Sequence, residues 1–383
     1  MTAPARTIRN ARILFALGGV STAVFLPFFV LWLRSRGLAA DQIGFVVAAS
    51  EAASFLAGPV WSHYADTRVG ARRTLIASSL ASGITALVLF AVGTSPWLIL
   101  AAVLLLGAAQ APGTPLSDAL ALGTLPERET EYGTIRLWAS AGWAVTTIAL
   151  GAWFEHAGLG SMLPLYALST VAFAFVASRF PHDAPAETTP TRSRLGTLGA
   201  AFRTTPRLGW FLLGAGLATA ATQAAWTFVP LVIAGGGGGP FLVGLSAGLA
   251  AIVEIPVFAA GGAIGRRFSQ RTIYVTGIAM YVATMLAWAA TQDPELVAIL
   301  RAASGVAFAL VYPSLVLITG KLVPRELRNT GQVLLGTSRD LAPIIGSAAG
   351  GLVYTYLGAP ALFLGAAACA AIGAVIVWLA IEP

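Results

Sequence analysis

The chain contains little charge, one cysteine and three histidines. Charged residues make up 10% of its 383 residues, against 57% hydrophobic residues and a mean hydropathy of +0.80. A soluble protein of this length needs much more surface charge, so the composition predicts a polytopic membrane protein. The single cysteine, Cys369, excludes an intrachain disulfide or a thiolate metal cluster, and His63, His156 and His182 lack the spacing of metal ligands. We therefore expect no metal and no cofactor.

Two further classes of function lack support in the sequence. The net charge is +7, but the arginines fall in short loops and do not form a basic face interleaved with aromatic residues, so no nucleic-acid partner is expected. A nucleophile paired with a base and a glycine loop for phosphate are both missing, so we do not expect an enzyme.

Twelve apolar segments are long enough to cross a bilayer as helices. We number them spans 1 to 12, and they cover approximately residues 12–33, 42–63, 74–94, 97–120, 132–154, 160–179, 208–233, 241–264, 272–291, 295–319, 332–356 and 360–381. Of the 23 Lys and Arg, 18 fall at the N-terminus or in loops on the same side, whereas Arg34 and Arg36 lie on the other. The positive-inside rule then predicts cytoplasmic N- and C-termini in the cell (inner) membrane.

Weak internal repeats divide the chain into halves. Arg73-Thr74 at the start of span 3 recurs as Arg271-Thr272 at the start of span 9, and Gly160 pairs with Gly358. Both offsets are 198 residues, about half the chain. We predict an all-α fold of two pseudo-symmetric six-helix bundles, 1–180 and 208–383, joined by a proline- and arginine-rich cytoplasmic linker over 181–207. The glycine run 235–239 is interpreted as a flexible turn before span 8.

Seven ionisable residues lie inside the apolar spans. A charge at the centre of a bilayer costs about 2.5–3.5 kcal/mol even on the most lenient scale, so such residues usually line a binding site, a proton path or an ion pair. Four are acids and three are arginines, which leaves one acid without a cation of its own. They are Glu51, Asp118, Arg136, Glu254, Arg301, Arg339 and Asp340.

The loop after span 2 carries an acidic residue followed by a glycine and two arginines. Asp66, Gly70, Arg72 and Arg73 resemble the loop signature of the major facilitator superfamily, with one extra residue between the acid and the glycine. The resemblance implies the two-bundle fold and a transport function. Asp66 is expected to cap a helix end or to pair with arginines across the bundle interface, and Asp66, Arg72 and Arg73 are assigned to ion pairs or gating. The alternative is a loop whose basic residues only set the topology.

The hairpin of spans 4 and 5 carries a narrower resemblance. Asp118 lies eighteen residues before Arg136, and Trp143 lies seven residues after it. This spacing is similar to that of the lactose-permease and phenylpropionate-permease branch of the superfamily. In an antiparallel hairpin the acid and Arg136 reach a similar depth, and Arg136 shares a helix face with Trp143. We predict that these three residues bind the solute, the alternative being an ion pair that only joins the two spans.

Proton coupling is predicted for the remaining acids. The permeases of this branch carry an acid in span 8, at a place similar to that of Glu254; Glu51 occupies an equivalent depth in span 2, and Asp340 follows Arg339 in span 11. The chain departs from the lactose-permease pattern in span 10, where Arg301 stands without a nearby histidine or glutamate. Arg301 and Arg339 are assigned to ion pairs or gating, and a salt bridge from Glu51 to either arginine is the alternative to a proton path.

These observations predict a secondary active transporter. We expect proton-coupled symport of a small organic solute, such as a sugar, a nucleoside or an aromatic carboxylate, by a monomer in the lipid bilayer. An efflux antiporter is the first alternative. The glycines and Pro343 of span 11 are similar to a string that drug antiporters of the superfamily carry in span 5, and the position of the string in span 11 of this chain argues against that alternative. A receptor or scaffold without transport is the second. Small residues that let helices approach closely would equally explain the span 11 string.

Overall fold

The structure of the chain is a computed structural model that describes residues 5–123, 129–181, 202, 205–324 and 327–381. Every regular element in these residues is a helix, and eleven of the helices are long and apolar enough to cross a membrane. Most of the predicted linker over 181–207 lies outside the described residues. The prediction of an all-α polytopic membrane fold is confirmed.

The first six spans agree with the sequence prediction except for a break in span 4. Pro112 lacks the N–H that a continuous helix would use, and the helix is interrupted there. A short 3₁₀ turn, Leu159–Ser161, precedes span 6. The helices are Ala5–Ser35 for span 1, Ala40–Tyr64 for span 2, Ala71–Ala91 for span 3, Pro96–Gln110 and Gly113–Gly123 for span 4, Glu129–Ala157 for span 5 and Met162–Ala177 for span 6.

The second half ends in one helix of 53 residues, Arg328–Ala380. Such a helix would be about 80 Å long, while a bilayer core is about 30 Å thick. Gly358 interrupts it with φ 83° and ψ 174°, dividing it into the two segments predicted as spans 11 and 12. The preceding helices are Pro206–Gly235 for span 7, Pro240–Arg267 for span 8, Gln270–Ala290 for span 9 and Pro294–Leu322 for span 10.

The turns after spans 1 and 7 have the same hydrogen-bonded form. Gly37 and Gly237 both have φ +89°, and the N–H groups of Leu38 and Gly238 reach back to the carbonyls of Leu33 and Ile233 at 3.4 and 2.9 Å. This is the Schellman arrangement, in which a left-handed glycine closes the helix end. The glycine run is therefore an ordered helix cap, and its interpretation as a flexible turn was wrong.

The turns after spans 5 and 11 correct one detail of the predicted repeat. Gly158 and Gly358 have φ +73° and +83°, whereas Gly160 lies in the 3₁₀ turn and has no positive φ. The structural counterpart of Gly358 is therefore Gly158. Its offset of 200 residues equals that of Gly37 and Gly237.

Contacts group the chain into two units, of which the first takes the described residues of Met1–Leu38, Ala49–Thr189 and Gly239–Ala251. Its core lies where spans 1, 4, 5 and 6 meet, around the buried side chains of Leu14, Leu120, Ile135 and Phe180. A buried polar group joins spans 3, 4 and 6, because Ser82 and Gln110 both hydrogen-bond the Tyr166 hydroxyl, at 2.6 and 2.7 Å.

Glycines bring spans 1 and 5 of this unit into backbone contact. A methyl group added at Gly142 would collide with the Ala16 carbonyl, and one added at Gly19 would collide with the Ala139 carbonyl. In lipid there is no water-driven attraction between helices, so this close packing supplies much of the association.

The second unit takes the described residues of Ala39–Ala48, Pro190–Gly238 and Ile252–Pro383. Spans 7 and 11 pack through the glycine-rich string, where Gly346 lies against the Ala220 carbonyl and Gly350 against Ala224. The string thus has a packing role in this unit. The first residues of span 2 belong to the second unit, and the first residues of span 8 belong to the first unit. The predicted bundles instead place all of span 2 in the N-terminal half and all of span 8 in the C-terminal half. The bounds of the bundles and of the linker stay predictions.

The contact between spans 1 and 5 generates a stability prediction. Gly142→Ala should lower the free energy of unfolding by about 1–3 kcal/mol, because the added methyl group forces the two backbones apart. Thermal unfolding of the purified protein in detergent measures the change. Gly133→Ala in the same helix is the matched control, since a methyl group there meets nothing within 4 Å. Equal unfolding midpoints for both variants would contradict the assigned contact.

Candidate functional site

An ion pair joins spans 4 and 5 in the first unit. Arg136 Nη1 lies 3.3 Å from Asp118 Oδ1 and 3.5 Å from Oδ2, as the hairpin prediction requires. The two side chains are 46% and 29% exposed, so the pair lines accessible space and is not sealed in the core. Each partner neutralises the other, which lowers the cost of carrying two charges within apolar spans.

Trp143 lies two turns further along span 5 and contacts the start of span 8. Its indole N–H donates to the Ala247 carbonyl at 3.4 Å, and the ring is half-buried. Near the end of span 5, Glu155 accepts a hydrogen bond of 2.9 Å from the Phe241 N–H in the first turn of span 8. Because the indole donor is already used within the protein, only the ring surface of Trp143 is available for a further contact.

The second unit contains a connected group of rings that sequence reasoning missed. We call it the ring cluster, and it consists of Trp226, Phe258, Tyr281, Phe308 and Tyr312. Spans 7, 8, 9 and 10 each contribute at least one ring. All except the buried Tyr281 are partly exposed, so the cluster presents a ring surface to accessible space.

Phe308 is the centre of this cluster. Its ring lies 6.2 Å from Trp226, 6.1 Å from Phe258 in an edge-to-face arrangement and 5.4 Å from Tyr312. Trp226 also meets Tyr281 edge-to-face at 5.7 Å. These separations lie within the range in which aromatic pairs attract one another.

Two buried donors in this region make no hydrogen bond to any described residue. They are Nη1 of Arg301, two turns before Phe308 on span 10, and the indole nitrogen of Trp226. A buried donor without an acceptor costs about 1–3 kcal/mol, which makes such groups candidates for binding a ligand. An acceptor oxygen that reached either donor would satisfy it.

Glu254 lies at the edge of the ring cluster. It precedes Phe258 by four residues on span 8, and residues four apart share a helix face. Arg301 precedes Phe308 by seven residues on span 10, which is two helical turns, so the two residues lie on the same helix face. An acid, a guanidinium and a ring surface therefore occur together within this unit.

Arg339 of span 11 contacts the same cluster from another side. Its guanidinium carbon lies 4.5 Å from the centre of the Tyr312 ring, a cation–π distance. The neighbouring Asp340 is exposed. The structure thus associates Arg339 with the ring cluster, and its predicted role in gating is not decided by this contact.

The other predicted residues lie elsewhere. Glu51 is half-buried in span 2 and belongs to the first unit. Arg72 donates to the carbonyls of Phe180 and Ser178, at 2.8 and 3.4 Å, so it closes the end of span 6. Asp66 and Arg73 are exposed, and Asp66 forms no ion pair with an arginine in the parts of the chain that the structure describes.

Comparison with known proteins decides the family. The MFS_1-like family matches residues 13–365, nearly the whole chain. The chain belongs to this family of major facilitator transporters. It is therefore an integral membrane transporter and not an enzyme, as the sequence predicts.

Two curated relatives support the permease branch. The maltose permease of Geobacillus stearothermophilus is 26% identical over 326 residues, covering 84% of this chain and 80% of the relative. The probable 3-phenylpropionic acid transporter of Escherichia coli (strain K12) is 26% identical over 289 residues, 73% of each chain. The resemblance to the phenylpropionate-permease type is thus supported by a relative found independently of the motif.

Solved structures confirm the fold. The nucleoside transporter NupG has a TM-score of 0.84 at 17% identity, covering 98% of this chain and 98% of that one. An auto-inhibited peptide transporter of the POT family has a TM-score of 0.76 at 11% identity, over 98% of this chain and 96% of the other. At these identities the likeness concerns the fold alone.

The ion pair generates a prediction for solute affinity. Arg136→Lys should raise the half-saturation concentration of solute exchange about tenfold or more, because the charge is kept but the planar fork of donors is lost. Counterflow in proteoliposomes measures this. The matched control is Arg267→Lys, an exposed arginine at the end of span 8. Unchanged affinity in both Arg136→Lys and Arg136→Gln would remove Arg136 from the binding residues.

Proposed function

We propose that the protein is a proton-coupled symporter of a small, ring-bearing organic solute. The solute class is a sugar, a nucleoside or an aromatic carboxylate, and transport proceeds by alternating access. The observation that carries this proposal is the occurrence of Glu254 one helical turn from a ring surface, with the buried donor of Arg301 nearby. A solute bound to those rings would lie beside an acid able to carry a proton.

The names of the similar proteins support a ring-bearing solute. They describe transport of maltose, 3-phenylpropionic acid and nucleosides, and molecules of all three kinds contain a ring. Aromatic side chains bind the faces of both sugar and aromatic rings through their large apolar area. The ring cluster of the second unit is suited to this use.

Arg136 supplies the polar contact in the first unit. A carboxylate or a pair of hydroxyl groups on the solute would accept hydrogen bonds from its guanidinium, which is accessible beside Asp118. Asp118 keeps the arginine neutralised when no solute is bound, so the empty protein avoids the cost of an isolated charge in the membrane. Trp143 adds ring surface on the same helix face.

Coupling is assigned to Glu254 because it is the predicted proton carrier that lies next to the ring cluster. An acid in an apolar span is most stable when protonated, and solute binding beside it changes how readily the proton leaves. Proton and solute would then move together. Glu51 and Asp340 are the alternative carriers.

The first test concerns the ring surface. Phe308→Leu should raise the half-saturation concentration of counterflow about tenfold, since it removes the central ring while leaving the side chain apolar. Phe90→Leu, at an exposed position of span 3, is the control and should leave the value unchanged. If Phe308→Leu transported the solute with native affinity, the ring cluster would not be the binding surface.

The second test separates coupling from binding. Glu254→Gln imitates the protonated acid, so solute exchange should continue while accumulation driven by a proton gradient is lost. Both activities are measured in the same proteoliposomes. Glu295→Gln, an exposed acid at the start of span 10, is the control and should accumulate solute normally.

The outcomes of that test have distinct meanings. Full gradient-driven accumulation by Glu254→Gln would shift the coupling role to Glu51 or Asp340. Loss of exchange together with accumulation would show that Glu254 binds the solute directly or supports the fold.

A counterflow screen identifies the solute class, and transport under an imposed proton gradient gives the direction of coupling. Radiolabelled maltose, adenosine and 3-phenylpropionate represent the three classes. A symporter concentrates its solute on the side to which protons flow, whereas an efflux antiporter moves it the opposite way under the same gradient. Solute movement against the proton flow would favour the antiporter.

A further inference from the structure

An apolar cleft lies between spans 1 and 5 of the first unit. Its volume is about 340 Å³. That volume is within the range of pockets that hold small molecules or part of a larger one. The lining surface is almost wholly apolar, and the two arginines at one end contribute their aliphatic stems to it. The lining residues are Arg9, Arg12, Ile13, Ala16, Leu17, Val20 and Trp138.

The cleft faces away from the core and from the Arg136 ion pair. Ile13 is 42% exposed and Trp138 is 48% exposed, whereas the neighbouring Leu14 is fully buried against the core. Trp138 follows Arg136 by two residues, which is about 200° around a helix. The cleft therefore opens on the outer surface of the unit, on the opposite side of span 5 from the proposed solute contacts.

Backbone packing explains why the cleft exists. Spans 1 and 5 touch where Gly142 meets the Ala16 carbonyl, so no side chain fills the furrow beside that contact. Ile13 on span 1 and Trp138 on span 5 line the furrow. A furrow of this kind on a membrane-facing surface fits an acyl chain.

The charged end of the cleft favours an anion. Arg9 and Arg12 are both exposed, and neither forms an ion pair with a residue in the described part of the chain. They lie one turn apart near the start of span 1, the end predicted to be cytoplasmic. Basic residues at this depth attract the anionic headgroups of the cytoplasmic leaflet, and a tryptophan is typical of the same interface.

We propose that this cleft binds one anionic phospholipid. An acyl chain lies along the apolar furrow against Ile13, Leu17 and Val20, the phosphate lies between Arg9 and Arg12, and the Trp138 ring packs beside the glycerol region. The site is separate from the solute contacts and does not depend on the proposed function.

Native mass spectrometry of the full chain tests this site. The protein is purified in detergent, mixed with equal amounts of phosphatidylglycerol and phosphatidylcholine, and the lipid retained on each protein ion is identified. The native protein should retain one phosphatidylglycerol in preference to phosphatidylcholine. The double variant Arg9→Ala/Arg12→Ala should lose about fivefold in that preference for each arginine removed.

Two further variants separate the cleft from general surface charge. Arg266→Ala/Arg267→Ala removes the same charge from the exposed end of span 8 and should keep the native preference. Ile13→Trp fills the furrow without altering any charge and should also release the lipid. A thermal unfolding midpoint equal to that of the native protein would show that Ile13→Trp is folded.

Three results from these variants and lipids would overturn the proposal, and displacement by phosphate would be a fourth. The first three are equal retention of the two lipids by the native protein, equal losses from the two arginine pairs, and retention of the lipid by Ile13→Trp. Inorganic phosphate added in excess should fail to displace the lipid, because the acyl chain holds it. Displacement by phosphate would assign a site for a soluble anion instead.

Discussion

Helices in a bilayer must hold together without the attraction that water creates between apolar surfaces, and this constraint governs the whole molecule. The chain meets it with backbone contact at small residues, where Gly142 meets the Ala16 carbonyl and Gly346 meets the Ala220 carbonyl. Such contacts leave spaces beside them on the helix surfaces. The outer cleft of the first unit and the ring cluster of the second both lie next to helices joined in this way.

The ionisable residues are stabilised by contacts between neighbouring helices. Asp118 and Arg136 neutralise one another on adjacent spans, which limits the cost of carrying charge in an apolar surrounding. Arg339 lies over the Tyr312 ring, and Arg72 reaches two carbonyls at the end of span 6. In each case the guanidinium contacts a group of a neighbouring helix: a carboxylate, an aromatic ring or backbone carbonyls. Few additional residues are therefore required to stabilise it.

The features that could be predicted from the sequence depend on the length of apolar runs and on the spacing of residues within neighbouring spans. Span positions follow from the length of apolar runs, and the pairing of Asp118 with Arg136 follows because a hairpin fixes their relative depth. The ring cluster could not be predicted in this way, because its rings come from four spans whose mutual rotation the sequence does not state. Phe308 and Tyr312, four residues apart and downstream of Arg301, were the available signal.

Other misreadings arose where composition was taken as a guide to conformation. Five consecutive glycines suggested flexibility, but Gly237 and its neighbours form a hydrogen-bonded cap. Gly160 was paired with Gly358 by alignment of residue types, whereas backbone dihedral angles identify Gly158 as the counterpart.

The matching caps at Gly37 and Gly237 bear on how the protein enters the membrane. Their hydrogen bonds join residues at most five positions apart, so each cap forms without help from distant parts of the chain. Each half of the protein can therefore fix the direction of its second helix while the rest is still being synthesised. Local closure of this kind allows each pair of helices to enter the membrane as a hairpin before the glycine surfaces of the unit pack.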